Sequence, residues 1–129
     1  MTAVGTALPD MVLPLDRTTI IAGAIASQDF EDVHHDPAKA NARGTKDIFL
    51  SINTTNGFVD RYVTDWAGPD ARIRSVSLRL GVPSFAGDTM TMSGEVTQQS
   101  DDLTTLQVVG RNSIGVHVTA TVTLTGAPR

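Results

Sequence analysis

The stretch Asp29-Phe30-Glu31-Asp32-Val33-His34-His35-Asp36-Pro37 gathers four carboxylates and two of the three histidines in the chain. Three kinds of chemistry compete for it. A solvated acidic turn ending in a helix cap needs no ligand, and Asp36 before Pro37 is a favoured cap pair. A metal site would draw on His34, His35 and the nearby carboxylates, but adjacent side chains diverge and no third His is close in sequence. A general acid–base pair needs one carboxylate and one imidazole around a single water. Free imidazole titrates near ~6.5, so it exchanges protons readily at neutral pH. His35 diverges from His34 and reads as a surface or structural residue. His117 lies on the polar phase of an alternating segment and reads as exposed.

These groups must be held by something. Asp36-Pro37 predicts a helix that stops at Gly44. Thr18 to Ile21 is a short β-branched run and reads as an edge strand. Met1 to Asp16, with Pro9 and Pro14, reads as an irregular lead-in, and Ala22 to Gln28 as one or two helical turns. Asp47 reads as the cap of a longer helix carrying Ile48, Ile52, Val59, Val63 and Trp66 at helical spacings and ending at Gly68-Pro69. Its stretch Asn53 to Gly57 is poor in helix formers, so only tertiary packing holds it helical. Beyond it, Met90 to Val96 and Val116 to Leu124 alternate with period two, as half-buried antiparallel strands do. Ile73 to Leu80 and Leu103 to Arg111 are two more strands, with turns at Ser100-Asp101-Asp102 and Asn112 to Gly115. The pattern predicts an α+β protein: a central helix, then a four-stranded antiparallel meander, with Thr18 to Ile21 completing five strands.

Composition narrows the function classes. The 129 residues make one domain, 1–129. The absence of cysteine removes thiol nucleophiles, disulfides and thiolate metal sites. A net charge of -4 argues against a nucleic-acid partner. The longest apolar run, Ile20 to Ala26, falls far short of the ~20 residues that span a bilayer. With no basic region at the start, a cytoplasmic protein is expected.

Asp29, Val33, His34 and Ala40 resemble the signature of the MaoC-like, R-specific enoyl-CoA hydratases. Ser84-Phe85-Ala86-Gly87-Asp88-Thr89 resembles that family's Gly-Asp turn entering a strand. The longer strings Gln28 to Asp36, Gly44 to Phe49, Arg61 to Pro69 and Leu78 to Pro83 resemble the small catalytic subunits of the heteromeric steroid enoyl-CoA hydratases of cholesterol side-chain degradation. The general motif has Asn-Pro where this chain has Glu31-Asp32, so no role passes to Glu31.

The resemblance implies a hot-dog fold, a five-stranded antiparallel sheet wrapped around a central helix. It implies hydration of a 2-enoyl-CoA thioester, with Asp29 and His34 holding one water that adds syn across the double bond. Backbone N–H groups at the central helix start would stabilise the thioester oxygen, and the position taken is Ile48. No metal or separate cofactor is implied, because coenzyme A is part of the substrate. The implied partner is a second hot-dog subunit lacking the catalytic pair, in a heterotetramer, or else a second copy in a homodimer. Two other functions stay open: a hot-dog thioesterase, disfavoured by the lack of an acid in Asn53 to Gly57, and a non-catalytic hot-dog partner subunit.

Overall fold

The computed structural model describes residues 2–128. Strand β1 (Ala7–Pro14) is followed by helix α1 (Arg17–Ala26), a 3-10 turn (Asp32–His34), the short helix α2 (Pro37–Ala42) and the long helix α3 (Ile52–Ala67). Strands β2 (Arg72–Leu80), β3 (Thr89–Ser100), β4 (Leu103–Arg111) and β5 (Val116–Thr125) complete the chain. One antiparallel sheet holds all five strands in the order β1-β3-β4-β5-β2.

The buried face of α3 presents Thr55, Val59, Tyr62, Val63 and Ala67. Against it lie Met90, Met92 and Val96 of β3, Leu106 and Val108 of β4, and Val118, Ala120, Val122 and Leu124 of β5. Five weak helix formers from Asn53 to Gly57 cost about 3 kcal/mol relative to alanine. Burying Val59 and Val63 completely returns about 3–6 kcal/mol. Packing therefore outweighs propensity, and the segment is helical as expected.

Four expectations need correction. First, Thr18 to Ile21 is not a strand but the first half of α1. Asp16 caps that helix by accepting the Thr19 N–H at 2.7 Å, and Ile20 and Ala24, one turn apart, bury its inner face. Second, the fifth strand comes from the supposed lead-in. β1 is an edge strand, where proline is tolerated, and its register breaks between Leu8 and Met11, setting Pro9 and Asp10 out of the ladder. Third, the last four strands are not a simple meander: β2 pairs with β5, and only β3-β4-β5 follow one another. Fourth, α3 starts at Ile52, capped by Ser51, whose Oγ accepts the Thr54 N–H at 3.2 Å. Asp47 lies in the preceding segment, paired with Arg17 at 3.1 Å. The expected helix from Asp36-Pro37 forms, with Asp36 accepting the Lys39 N–H at 3.1 Å.

Candidate active site

Asp29 is placed by the end of α1. The helix closes with paired bonds from the Gln28 N–H to the Ile25 carbonyl (3.0 Å) and from the Asp29 N–H to the Ala24 carbonyl (2.9 Å). This is a Schellman ending, and it needs a left-handed residue at Gln28, whose φ is 59°. Asp29 thus leaves α1 in a fixed direction.

His34 closes the 3-10 turn and is held at two points by one neighbouring segment. The Phe49 N–H donates to the Val33 carbonyl (3.0 Å), and His34 Nδ1 lies 2.7 Å from the Phe49 carbonyl oxygen. A carbonyl only accepts, so the hydrogen-bond network assigns the proton of neutral His34 to Nδ1. The Phe49 ring packs edge-on against the imidazole at 5.0 Å, and Phe85 packs edge-on against Phe49 at 6.0 Å. His34 Nε2 then faces Asp29 Oδ2 at 3.6 Å, with side chains 11% and 19% exposed. That gap exceeds a direct hydrogen bond and leaves both acceptors within reach of one water seated beside them.

The cluster's other carboxylates are engaged elsewhere. Glu31 pairs with Arg43 at 3.5 Å, Asp32 with Arg43 at 3.6 Å and Lys39 at 3.8 Å, and Asp36 caps α2. His35 is half-buried and adjoins the same turn. Among the described residues, no group of three or more His, Asp or Glu is arranged to hold a metal ion.

Ile48 does not sit at a helix start. Its side chain is fully buried and its N–H donates to Asp47 Oδ1 at 2.7 Å. The N-terminal turn of α3 instead begins three residues after Phe49. The corrected start also puts Asp60 near the middle of α3, so the helix does carry a central acid. One Asp60 oxygen is buried without a partner among the described residues, and burial pushes its carboxyl above the usual range.

His117 departs furthest from expectation. It is 2% exposed, with Nδ1 2.7 Å from the Val82 carbonyl and Nε2 2.8 Å from Thr55 Oγ1. The tautomer follows: Nδ1–H donates to Val82 and Nε2 accepts from Thr55. The β4–β5 register shifts between Gly110 and Arg111, which face Val118 and Val116, so His117 is an extra residue opposite that step. Such a bulge re-aims a side chain, and alternation in the sequence does not reveal it. Sequence reasoning also missed the Phe49 carbonyl, since any residue type supplies one.

A five-stranded antiparallel sheet wrapped around one long helix is the hot-dog fold, and the Asp29–His34 pair sits at the entrance to that helix. No family model matches the chain. The 3-oxo-4,17-pregnadiene-20-carboxyl-CoA hydratase beta subunit of Mycobacterium tuberculosis is 60% identical over 124 residues, 96% of this chain and 96% of that protein. A chain in the crystal structure of the ChsH1–ChsH2 complex from the same organism superposes with a TM-score of 0.95 at 59% identity, covering 97% of this chain and 98% of that one. The (R)-hydratase of A. caviae shares the fold, with a TM-score of 0.90 at 22% identity over 98% of each chain. The chain belongs to the MaoC-like enoyl-CoA hydratases, alongside the small subunits of the steroid-CoA enzymes.

Proposed function

We propose that this chain adds water across the 2,3 double bond of a steroid side-chain enoyl-CoA, with Asp29 and His34 activating that water. The supporting observation is the tautomer of His34. With the proton on Nδ1 and committed to Phe49, Nε2 offers only a lone pair toward Asp29. A water beside them donates one hydrogen to each, and its own lone pair is left for the substrate. Its oxygen bonds to the β-carbon as Nε2 takes one proton, so His34 is the base and Asp29 orients the water. The imidazolium returns that proton to the α-carbon on the same face, giving syn addition. Coenzyme A stays on the substrate, and the net reaction changes no redox state.

As the α-carbon gains electron density, the thioester oxygen becomes negative. The first-turn amides of α3, Ile52 and Asn53, have no partner inside their helix and take the place expected for Ile48. They are close in sequence to the Phe49 carbonyl that orients His34.

The substrate and partner follow the relatives. In 3-oxo-4,17-pregnadiene-20-carboxyl-CoA the reacting β-carbon belongs to a rigid ring system, which needs a wide pocket. Ile25, Phe30 and Ile52 flank Asp29 and the start of α3, and each is at least half exposed. Apolar surface around a polar site suits a covering subunit and an apolar acyl group. The partner is a second hot-dog subunit that lacks the catalytic pair and leaves room for the rings, and the complex works in the cytoplasm.

The test is turnover of this steroid enoyl-CoA by the complex carrying Asp29→Asn or His34→Ala. Each variant loses about 10²–10⁴-fold in kcat. The double variant is little worse than either single one, because the two residues act on one water. A folded single variant with wild-type turnover refutes the assignment. Release of free thiol from a saturated acyl-CoA would point to thioesterase chemistry instead.

A further inference from the structure

Asp29 and His34 belong to two different frames. Asp29 is fixed to α1 by the Schellman bonds, so it moves with that helix. His34 is fixed to the segment that leads into α3 through the carbonyl and N–H of Phe49. The width of the gap between them therefore depends on how α1 seats against α3.

The seat is Gly23 on Thr54. A Cβ built at Gly23 would lie 2.4 Å from Thr54 Oγ1, 2.7 Å from its Cγ2 and 3.1 Å from its Cβ, where ordinary contact begins at 3.4 Å. The backbone of α1 thus rests directly on the Thr54 side chain. Thr54 is itself held in place: its N–H donates to Ser51 Oγ at 3.2 Å, and the two hydroxyls lie 3.0 Å apart. Gly23 precedes Asp29 by six residues, and its carbonyl accepts from the Ser27 N–H at 3.1 Å and the Ser27 hydroxyl at 2.8 Å. A push at Gly23 is transmitted through this capped turn to Asp29.

We propose that the Gly23–Thr54 contact is a positioning pair that sets the Asp29–His34 separation, and with it the hydration rate. The proposal rests on the reading of Asp29 and His34 as the water-activating pair. A methyl group at position 23 must move α1 by about 1 Å to reach ordinary contact. A displacement of that size at reacting groups costs roughly 10²-fold in rate.

The experiment measures kcat, KM and thermal melting for the complex carrying Gly23→Ala, Thr54→Ala or both, with Asp29→Asn as reference. The probe is 3-oxo-4,17-pregnadiene-20-carboxyl-CoA. Gly23→Ala lowers kcat roughly 10²-fold and raises KM less than about tenfold, because the shift carries only the edge of the apolar surface at Ile25 and Phe30 with it. Thr54→Ala, which removes the seat itself, lowers kcat about tenfold with KM little changed. The double variant recovers at least tenfold over Gly23→Ala, because Oγ1 and Cγ2 no longer obstruct the methyl. A folded Gly23→Ala protein with wild-type kcat overturns the proposal, and so does a double variant no faster than Gly23→Ala. Should Gly23→Ala fail to fold, the double variant must fold and reach within tenfold of wild type, and anything less also overturns it. If Asp29→Asn retains full turnover, the failure lies with the catalytic pair and not with its positioning.

Discussion

Gln28 holds a backbone conformation that side chains avoid, one residue before the proposed water-orienting carboxylate. A left-handed residue other than Gly costs about 1–2 kcal/mol, and Gly loses part of that advantage through its freedom in the unfolded chain. Gln28→Gly is therefore expected to raise stability by about 0.5–1 kcal/mol, seen as a later midpoint in urea, with turnover little changed. A lowered midpoint would mean that the exposed Gln28 side chain makes a stabilising contact worth more than the strain. The sequence does not flag this position, because helix ends are recognised by Gly and none stands there. The Asp29–His34 pair could be singled out only through the resemblance of Asp29, Val33, His34 and Ala40 to the hydratase signature, because the residue types alone fit a solvated acidic turn equally well. Which of the two is the base was not legible, because that depends on a carbonyl fifteen residues further on. Ile48 failed for a related reason: its role assumed a helix start that lies four residues later.

At the level of elements, a buried imidazole adds a polar tie between α3 and β5, from His117 to Thr55. Burial pushes His117 below the ordinary histidine value, against a smaller opposing effect from its bond to Val82. The unfolded chain therefore takes up a proton more readily than the folded one. The stability His117 contributes is complete above pH ~6.5 and is lost as pH falls through its lowered folded value, by at most about 1.4 kcal/mol per pH unit. Denaturant midpoints at pH 7.5, 6.0 and 5.0 should fall in that order, and the slope between 6.5 and 5 should flatten in His117→Gln. An unchanged slope in that variant would assign the effect to another group. Asp16, Asp47 and Asp88, held low mainly by hydrogen bonds from Thr19, Arg17 and Ser113, act only as pH falls below ~4, outside this window. The legible elements were those with a clear period or cap signal: α2, the body of the long helix and the strands β2 to β5, the step at His117 in β5 excepted. Those misread were decided by single features. Asp16 turned a β-branched run into helix, an edge location let a strand keep its prolines, and a bulge turned His117 inward.

For the whole molecule, β1 and β2 each leave one side of their backbone unpaired, and apolar side chains surround the proposed site. Open sheet edges and exposed apolar surface favour association. Expressed alone, the chain should form a homodimer or a poorly soluble species with weak turnover of the steroid substrate. With its hot-dog partner it should elute as a heteromer of two plus two chains with full turnover, as measured by light scattering and substrate hydration. A fully active homodimer would remove the heteromer from the proposal and leave the hydration chemistry standing. The strand order β1-β3-β4-β5-β2 carries one more consequence, for how the chain is made. Everything before Thr89 contains only β1 and β2, which stand at opposite edges of the sheet and never meet. A ribosome adding roughly 5–20 residues per second takes roughly 4–15 s to travel from Pro14 to Thr89. Through that interval the nascent chain holds β1, and towards its end β2, with no possible ladder; β1 finds its partner when β3 is made, and β2 waits until β5, the last strand.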